Sequence, residues 1–161
     1  MKILVLSDSH AALSFMRLAI EKVKPDQVVH LGDHFEDGTA MAQENPHLRF
    51  HQVPGNCDRY GFNPGQVQIL CYDIGGVRFY MTHGHLHGVK SDLERLLADA
   101  KKNGVQAVLY GHTHRALCAC VDDMWVMNPG SCGSYGGSVG LIEVEQGKIT
   151  ACSVLEQADL L

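Results

Sequence analysis

The sequence predicts an α/β domain in which two β-sheets pack together and helices cover the outside. Three observations predict it. The first third alternates short apolar runs with a stretch of helical spacing, as in a β-α-β unit. The middle and the last third hold pairs of strand-like runs joined by tight-turn dipeptides. No internal repeat and no linker interrupts the pattern, so residues 1–161 read as one domain, a length that suits one core.

The first element is "KILVLS" at residues 2–7: short, apolar and ended by polar residues, the signature of a buried strand. Residues 11–22 place Leu13, Met16, Ala19 and Ile20, with Val23 just beyond, on one helical stripe. Pro25 stops that helix, and Val28 and Val29 carry the next strand, giving a parallel pair with a right-handed crossover. A second helix is expected over residues 38–45, with Asp37 as its N-cap. "LRFHQVPGN" supplies a strand ending at Pro54-Gly55. "VQILCYDIGGVRFYMTHGH" reads as a hairpin turning at Gly75-Gly76. Residues 91–102 form an amphipathic helix, with Ser91 and Glu94 as a capping box and Gly104 past its end. "QAVLYG" is another buried strand. Two further hairpins are expected to turn at Asp122-Asp123 and at Gln146-Gly147. Strand order is not readable from this pattern.

Composition narrows the function. Hydrophobic residues make up 45% of the chain and charged residues 19%, which excludes a disordered chain or a coiled coil. The formal charge is −5 and no basic stripe is visible, so nucleic acid is not expected as the main partner. No stretch is long enough to span a membrane, and "ILVL" is too short for a signal-peptide core, so we expect a cytoplasmic protein. The six cysteines show no disulfide-framework spacing and read as reduced thiols. The "CAC" at 118–120 could be a metal pair, but its strand-like setting favours packing.

The informative residues lie just past the ends of the apolar strands. Asp8 and His10 come after the first, Asp33 after the second and Asn56 after the third. His83 and His85 come after the middle hairpin, and His112 and His114 after "VLYG". Ligands of open α/β sheets bind beyond the carboxyl ends of the strands, so these segments aim metal-capable groups at one rim. In extended chain, residues i and i+2 point the same way, so Asp8 with His10 and His112 with His114 should each present two donors to one side. Imidazole, carboxylate and amide oxygen together suit first-row transition metals better than calcium. A single D-x-H or H-x-H arises often by chance, and "GD" and "GN" are ordinary turn dipeptides. The inference rests on the whole set at successive strand ends.

The order D-x-H, G-D, G-N-x-D, H-G-H, G-H-x-H, with "NPGS" at 128–131, resembles the calcineurin-like metallophosphoesterases. Within them it is most like the small single-domain phosphodiesterases of bacteria and archaea. The resemblance implies an αββα sandwich of two mixed sheets flanked by helices, with a dinuclear metal site. One metal would take Asp8, His10, Asp33 and His114; the other would take Asp33, Asn56, His83 and His112, with Asp33 bridging. It implies a phosphoric ester hydrolase, most simply a phosphodiesterase acting on small phosphodiesters through a metal-bridging hydroxide. Manganese is the first candidate, and zinc, iron and nickel accept the same ligands. Many larger members carry histidine after the asparagine; here Cys57 stands there, followed by Asp58. A thiol near pKa ~8.5 is a poor acid at neutral pH, so proton donation is expected from His85 or Asp58, or else good leaving groups are required. Cys57 and His85 are also candidates for contacting substrate. His34, His47, His51 and His87 read as surface or supporting residues, with His87 the one to watch because it follows His85 by two. "NPGSCGSYGG" lacks the lysine and helix of a P-loop and reads as a turn closing the rim. The competing function is a catalytically weak protein-binding scaffold, since a relative of this fold serves as a retromer subunit. A homo-oligomer through exposed strand edges stays open.

Overall fold

The computed structural model describes residues 1–58, 67–133 and 136–161. Its elements run β1 (Lys2–Leu6), α1 (Leu13–Val23), β2 (Gln27–His30), α2 (Phe35–Glu44), β3 (Arg49–Gln52), β4 (Ile69–Ile74), β5 (Val77–Thr82), a 3₁₀ turn (His85–His87), α3 (Glu94–Lys102), β6 (Ala107–Leu109), β7 (Leu117–Val121), β8 (Met124–Asn128), β9 (Ser138–Glu145), β10 (Lys148–Glu156) and α4 (Gln157–Leu160). They form two five-stranded sheets, ordered β10-β9-β1-β2-β3 and β4-β5-β6-β8-β7. In the first, β1, β2 and β3 are parallel and β9 runs antiparallel to β1. In the second, β5, β6 and β8 are parallel, and β4 and β7 close the edges antiparallel.

Side-chain alternation along β1 shows why the sheets must be covered on both faces. Ile3 and Val5 point into the layer between the sheets, against Phe79, Met81, Leu109 and Met127. Leu4 and Leu6 point the other way, onto Met16, Ala19 and Ile20 of α1 and Met41 of α2. Tyr80, Val108 and Val126 on the outer face of the second sheet meet Leu96 and Ala100 of α3. Each such fully buried side chain contributes roughly 1.5–3 kcal/mol. The result is helix, sheet, sheet, helix, as the resemblance implies. No helix among the described residues is long and apolar enough to cross a membrane.

The hairpin turns fall at the expected dipeptides. Gly75-Gly76, Asp122-Asp123 and Gln146-Gly147 all have positive φ at both central residues, as a type I′ hairpin requires. The helix starts differ from expectation. The α2 helix begins at Phe35, so Asp37 lies within its first turn and caps nothing; His34, in the left-handed region, is the cap residue. The Ser91–Glu94 capping box does not form, because turns from Gly88 to Ser91 and Asp92 use the chain up to Asp92. The Asp92 carboxylate instead accepts the Glu94 N–H at 3.0 Å. Cys118 of "CAC" is half-buried against the inter-sheet layer beside Cys152 of β10, and Cys120 is exposed, so the motif is strand packing.

Candidate metal site

The ends of β1, β2, β5 and β6, with the segment after β3, meet at one rim and deliver Asp8, Asp33, His83, His112 and Asn56. The means of delivery is not the extended chain expected from i, i+2 spacing. Asp8, His10, Asp33, His34, His112 and His114 all have positive φ, between 44° and 70°. Left-handed turns, not strand alternation, aim each pair. Such residues cost about 1–3 kcal/mol each and persist only where neighbours over-determine them. Here they do. The Asp8 N–H donates to Gly32 O at 2.9 Å, Gly111 N–H to His83 O at 2.8 Å, and Gly133 N–H to Asp8 O at 3.2 Å. Two glycines make the approach feasible: a Cβ on Gly55 would collide with the Asp33 carboxylate, and one on Gly111 with Ser7 Oγ and Asp8 Oδ2.

At the floor lies His83, fully buried. Its Nδ1–H donates to Leu31 O at 2.8 Å, which turns Nε2 toward the site. Around that Nε2 stand Asn56 Oδ1 at 3.1 Å, His112 Nδ1 at 3.1 Å and Asp33 Oδ1 at 3.5 Å. Burial pushes His112 down to about 4, helped by His83 and Lys90, so its imidazole is neutral at neutral pH. Asn56 Oδ1 and Asp33 Oδ1, which only accept, thus stand with two imidazole nitrogens around one point, a donor set suited to a cation. Burial works to raise the Asp33 carboxyl, but His83, the Cys57 amide and His10 outweigh it and hold it below the ordinary carboxylate value. Asp8, also fully buried, places Oδ1 at 3.1 Å from His114 Nε2, while its Oδ2 accepts the His112 N–H at 3.1 Å.

Two groups of donors are close enough to hold a metal: Asp8, His10 and His114, and Asp8, Asp33 and His83, each with ligand atoms within 4.8 Å of one another. Asp8, His10, His114, Asp33 and His83 thus come together, Asn56 and His112 approach only through His83 Nε2, and the sharing between the groups differs from expectation. At that spacing Asp8 belongs to both groups, whereas Asp33 joins His83 and not His10 or His114. The nitrogen, carboxylate and amide donor set fits a divalent transition metal.

The remaining candidates fall into place around this centre. The Asp58 carboxylate is buried and saturated by backbone: Oδ2 accepts from Asp33 N at 2.9 Å and Gly55 N at 2.7 Å, and Oδ1 from Phe35 N at 2.9 Å. It holds the Asp33 and Asn56 loops in register. Cys57 is exposed; its N–H donates to Asp33 Oδ1 at 3.0 Å, while burial and the Asp33 charge raise its thiol above the ordinary value. His85 is half-buried beside His83, ring centroids 5.5 Å apart, and its buried Nδ1 has no hydrogen-bond partner among the described residues. His87 faces α3, with Nε2 3.1 Å from both Tyr80 Oη and Asp99 Oδ2, and anchors the 3₁₀ turn. His51 is buried between Tyr72 and Gln27, His47 is exposed, and His34 stacks edge-on against His10 at 5.0 Å. The Ser131 hydroxyl donates to Asp8 O, and Cys132 N–H to Ser7 O, so "NPGSC" straps the β1 end; residues 134 and 135 of that motif lie outside the described residues.

Sequence reasoning missed one network. Gly32 N–H donates to His30 Nδ1 at 3.2 Å, leaving His30 Nε2–H to donate to Ser9 Oγ at 2.9 Å. The Ser9 hydroxyl donates to Asp37 Oδ2 at 2.8 Å, and Ala11 N–H reaches the same oxygen at 2.7 Å. This chain locks the turn carrying Asp8 and His10 onto β2 and α2. Its members are three separate polar residues, and no spacing in the sequence links them.

The fold and the donor arrangement are those of the metallophosphoesterase family. Residues 1–147 match the calcineurin-like phosphoesterase superfamily domain, and the chain belongs to that family. It is 31% identical over 133 residues to a probable metallophosphoesterase of Mycoplasma pneumoniae, covering 81% of this chain and 78% of that one. It is 30% identical over 164 aligned positions to a phosphodiesterase of Methanocaldococcus jannaschii, covering 91% and 95%. Among solved structures, the zinc complex of Vps29 from Entamoeba histolytica shares the fold, with a TM-score of 0.72 at 21% identity over 97% of this chain and 99% of that one.

Proposed function

We propose that the protein is a phosphodiesterase that hydrolyses small phosphodiesters at a dinuclear site, with manganese as the first candidate and zinc, iron or nickel as the others. The observation that carries this reading is the convergence of Asn56, His112 and Asp33 on His83 Nε2, next to the Asp8, His10 and His114 group. Asp8, His10, Asp33 and His114 would hold one ion and Asp33, Asn56, His83 and His112 the other. When bound, two such ions supply Lewis-acid charge on the phosphoryl oxygens and an activated water as nucleophile. The chain's own residues do the rest. Asn56 turns its amide oxygen inward, at 3.1 Å from His83 Nε2, and lies exposed at the rim where an ester group enters. His85, with an unpartnered buried Nδ1, is placed to meet a phosphoryl oxygen or a water held by it. Asp58 has no free carboxylate oxygen among its contacts and acts by positioning the loops. Cys57, its thiol raised, is an ineffective acid. Substrates with good leaving groups should therefore be favoured, and a plot of log kcat against leaving-group pKa for aryl phosphodiesters should slope steeply; a flat plot would contradict this. The free cysteines fit a reducing compartment, so we place the enzyme in the cytoplasm.

The likeness to Vps29 supports a second reading, a protein-binding scaffold of the same fold. The filled donor set favours the enzyme. Bis-p-nitrophenyl phosphate assayed with manganese, with and without chelator, decides between them. Metal-dependent turnover is expected; no turnover by metal-loaded protein, with partner binding retained in His112→Ala, would leave the scaffold.

A further inference from the structure

A recess of about 570 Å³ opens beside the metal site, between the segment after the 3₁₀ turn and the loop that carries His112 and His114. Thr113, which stands between those two histidines, lines it, and so does Arg115, one residue on. Lys90, from the segment after the 3₁₀ turn, lines it as well. None of the metal-ligand candidates lines the recess; it adjoins them through Thr113.

Its charge differs from that of two other recesses among the described residues. The chain carries 18 Asp+Glu against 13 Lys+Arg, yet the lining here contains two cations and no acid. In those two, acids accompany the cations. Arg17, at a recess under α1, is held by Glu44 at 2.7 Å, and Lys101, at another, shares it with Asp122 and Asp123. Among the described residues neither Lys90 nor Arg115 has an ion-pair partner. Both are exposed, so their charges reach whatever enters. Ser91 and Thr113 add hydroxyls, and Val89 and Leu93 give an apolar wall. A volume of this size is in the range of small-molecule sites. Arginine matches phosphate with a planar fork of donors, and lysine supplies a point charge.

We propose that this recess seats the ester substituent of the substrate and selects one in which an apolar or aromatic body bears a second phosphate, as in a nucleoside 3′-phosphate. Lys90 and Arg115 are the specificity-determining residues, and the wall formed by Val89 and Leu93 receives the body. This rests on the phosphodiesterase reading and adds the substrate class to it.

The test compares thymidine 5′-(p-nitrophenyl phosphate) with the same ester carrying a 3′-phosphate, using manganese-loaded full-length protein. The 3′-phosphate should raise kcat/KM about tenfold, and the Lys90→Gln/Arg115→Gln variant should bring the ratio of the two esters close to one. A ratio near one in the unaltered protein, or a ratio preserved in the variant, overturns the proposal. If neither ester turns over, the phosphodiesterase reading fails, and calorimetry decides the recess by itself. Tighter binding of thymidine 3′,5′-bisphosphate than of thymidine 5′-phosphate, lost in the variant, supports it; equal affinities overturn it.

Discussion

Two carboxylates compete for the central role in the site, and the competition is decided residue by residue. The family pattern makes Asp33 the shared ligand, while the spacing places Asp8 in both donor groups. If Asp33 bridges, Asp33→Ala should remove both ions, while His112→Ala and His114→Ala each weaken a different one. Metal content of the purified variants checks this; one equivalent retained by Asp33→Ala, with none in Asp8→Ala, would make Asp8 the bridge. A second residue-scale prediction concerns His30. Burial pushes its pKa from an ordinary 6.5 down to about 4. Between those values the unfolded chain binds a proton that the folded chain refuses, so stability should be full above pH 6.5 and fall as pH drops toward 4. At ~1.4 kcal/mol per unit the loss is about 3 kcal/mol. Urea titrations in chelator, so that metal loss contributes nothing, should show this fall. In His30→Gln the fall should be smaller by that amount; an unchanged pH profile would refute the assignment.

At the scale of elements, the legibility of the sequence is uneven for physical reasons. The hairpins are readable because a two-residue turn requires positive φ, and Gly75-Gly76, Asp122-Asp123 and Gln146-Gly147 declare it locally. The candidate metal ligands are readable because each comes just after an apolar strand. Helix starts are less so, because their caps compete with long-range partners: Asp37, in a good N-cap context, instead reaches Ser9 and Ala11, and Asp58 takes the Phe35 amide. The left-handed turns beneath the i, i+2 pairs are hidden, since aspartate and histidine do not announce φ as glycine does. The Asp37 contact yields a prediction. Asp37→Ala leaves the Ala11 amide and the Ser9 hydroxyl without their acceptor, which should cost about 1–3 kcal/mol of stability. It should also weaken the ion held by Asp8, His10 and His114 more than the one at His83. Calorimetric manganese titration would show one affinity falling and the other holding; equal weakening of both would mean that the turn is not the element Asp37 controls.

For the whole molecule, the site is where the two sheets are tied together. Asp8 and Asp33 come from the sheet ordered β10-β9-β1-β2-β3, and His83 and His112 from the other. Between the sheets the core contacts are apolar, from Ile3 and Val5 across to Phe79, Met81 and Leu109, with the His51–Tyr72 hydrogen bond joining β3 to β4, and apolar packing of this kind tolerates small adjustments. Metal ligation is not tolerant, because it fixes donors from both sheets around one point. Binding that occurs only in the folded chain adds stability as RT ln(1 + [L]/Kd), about 2.7 kcal/mol at a hundredfold excess over Kd. For a chain of this size that is worth roughly 5–10 °C in Tm. Manganese should therefore raise Tm by that amount over chelator-treated protein. Because Asp8 is a ligand of one of the two ions and its oxygens also reach His114 and the His112 amide, Asp8→Asn should reduce the increment. Thermal unfolding of both proteins, with and without metal, provides the measurement. If the metal raised Tm as much in Asp8→Asn as in the unaltered chain, the stabilising ion would be bound away from the junction of the sheets.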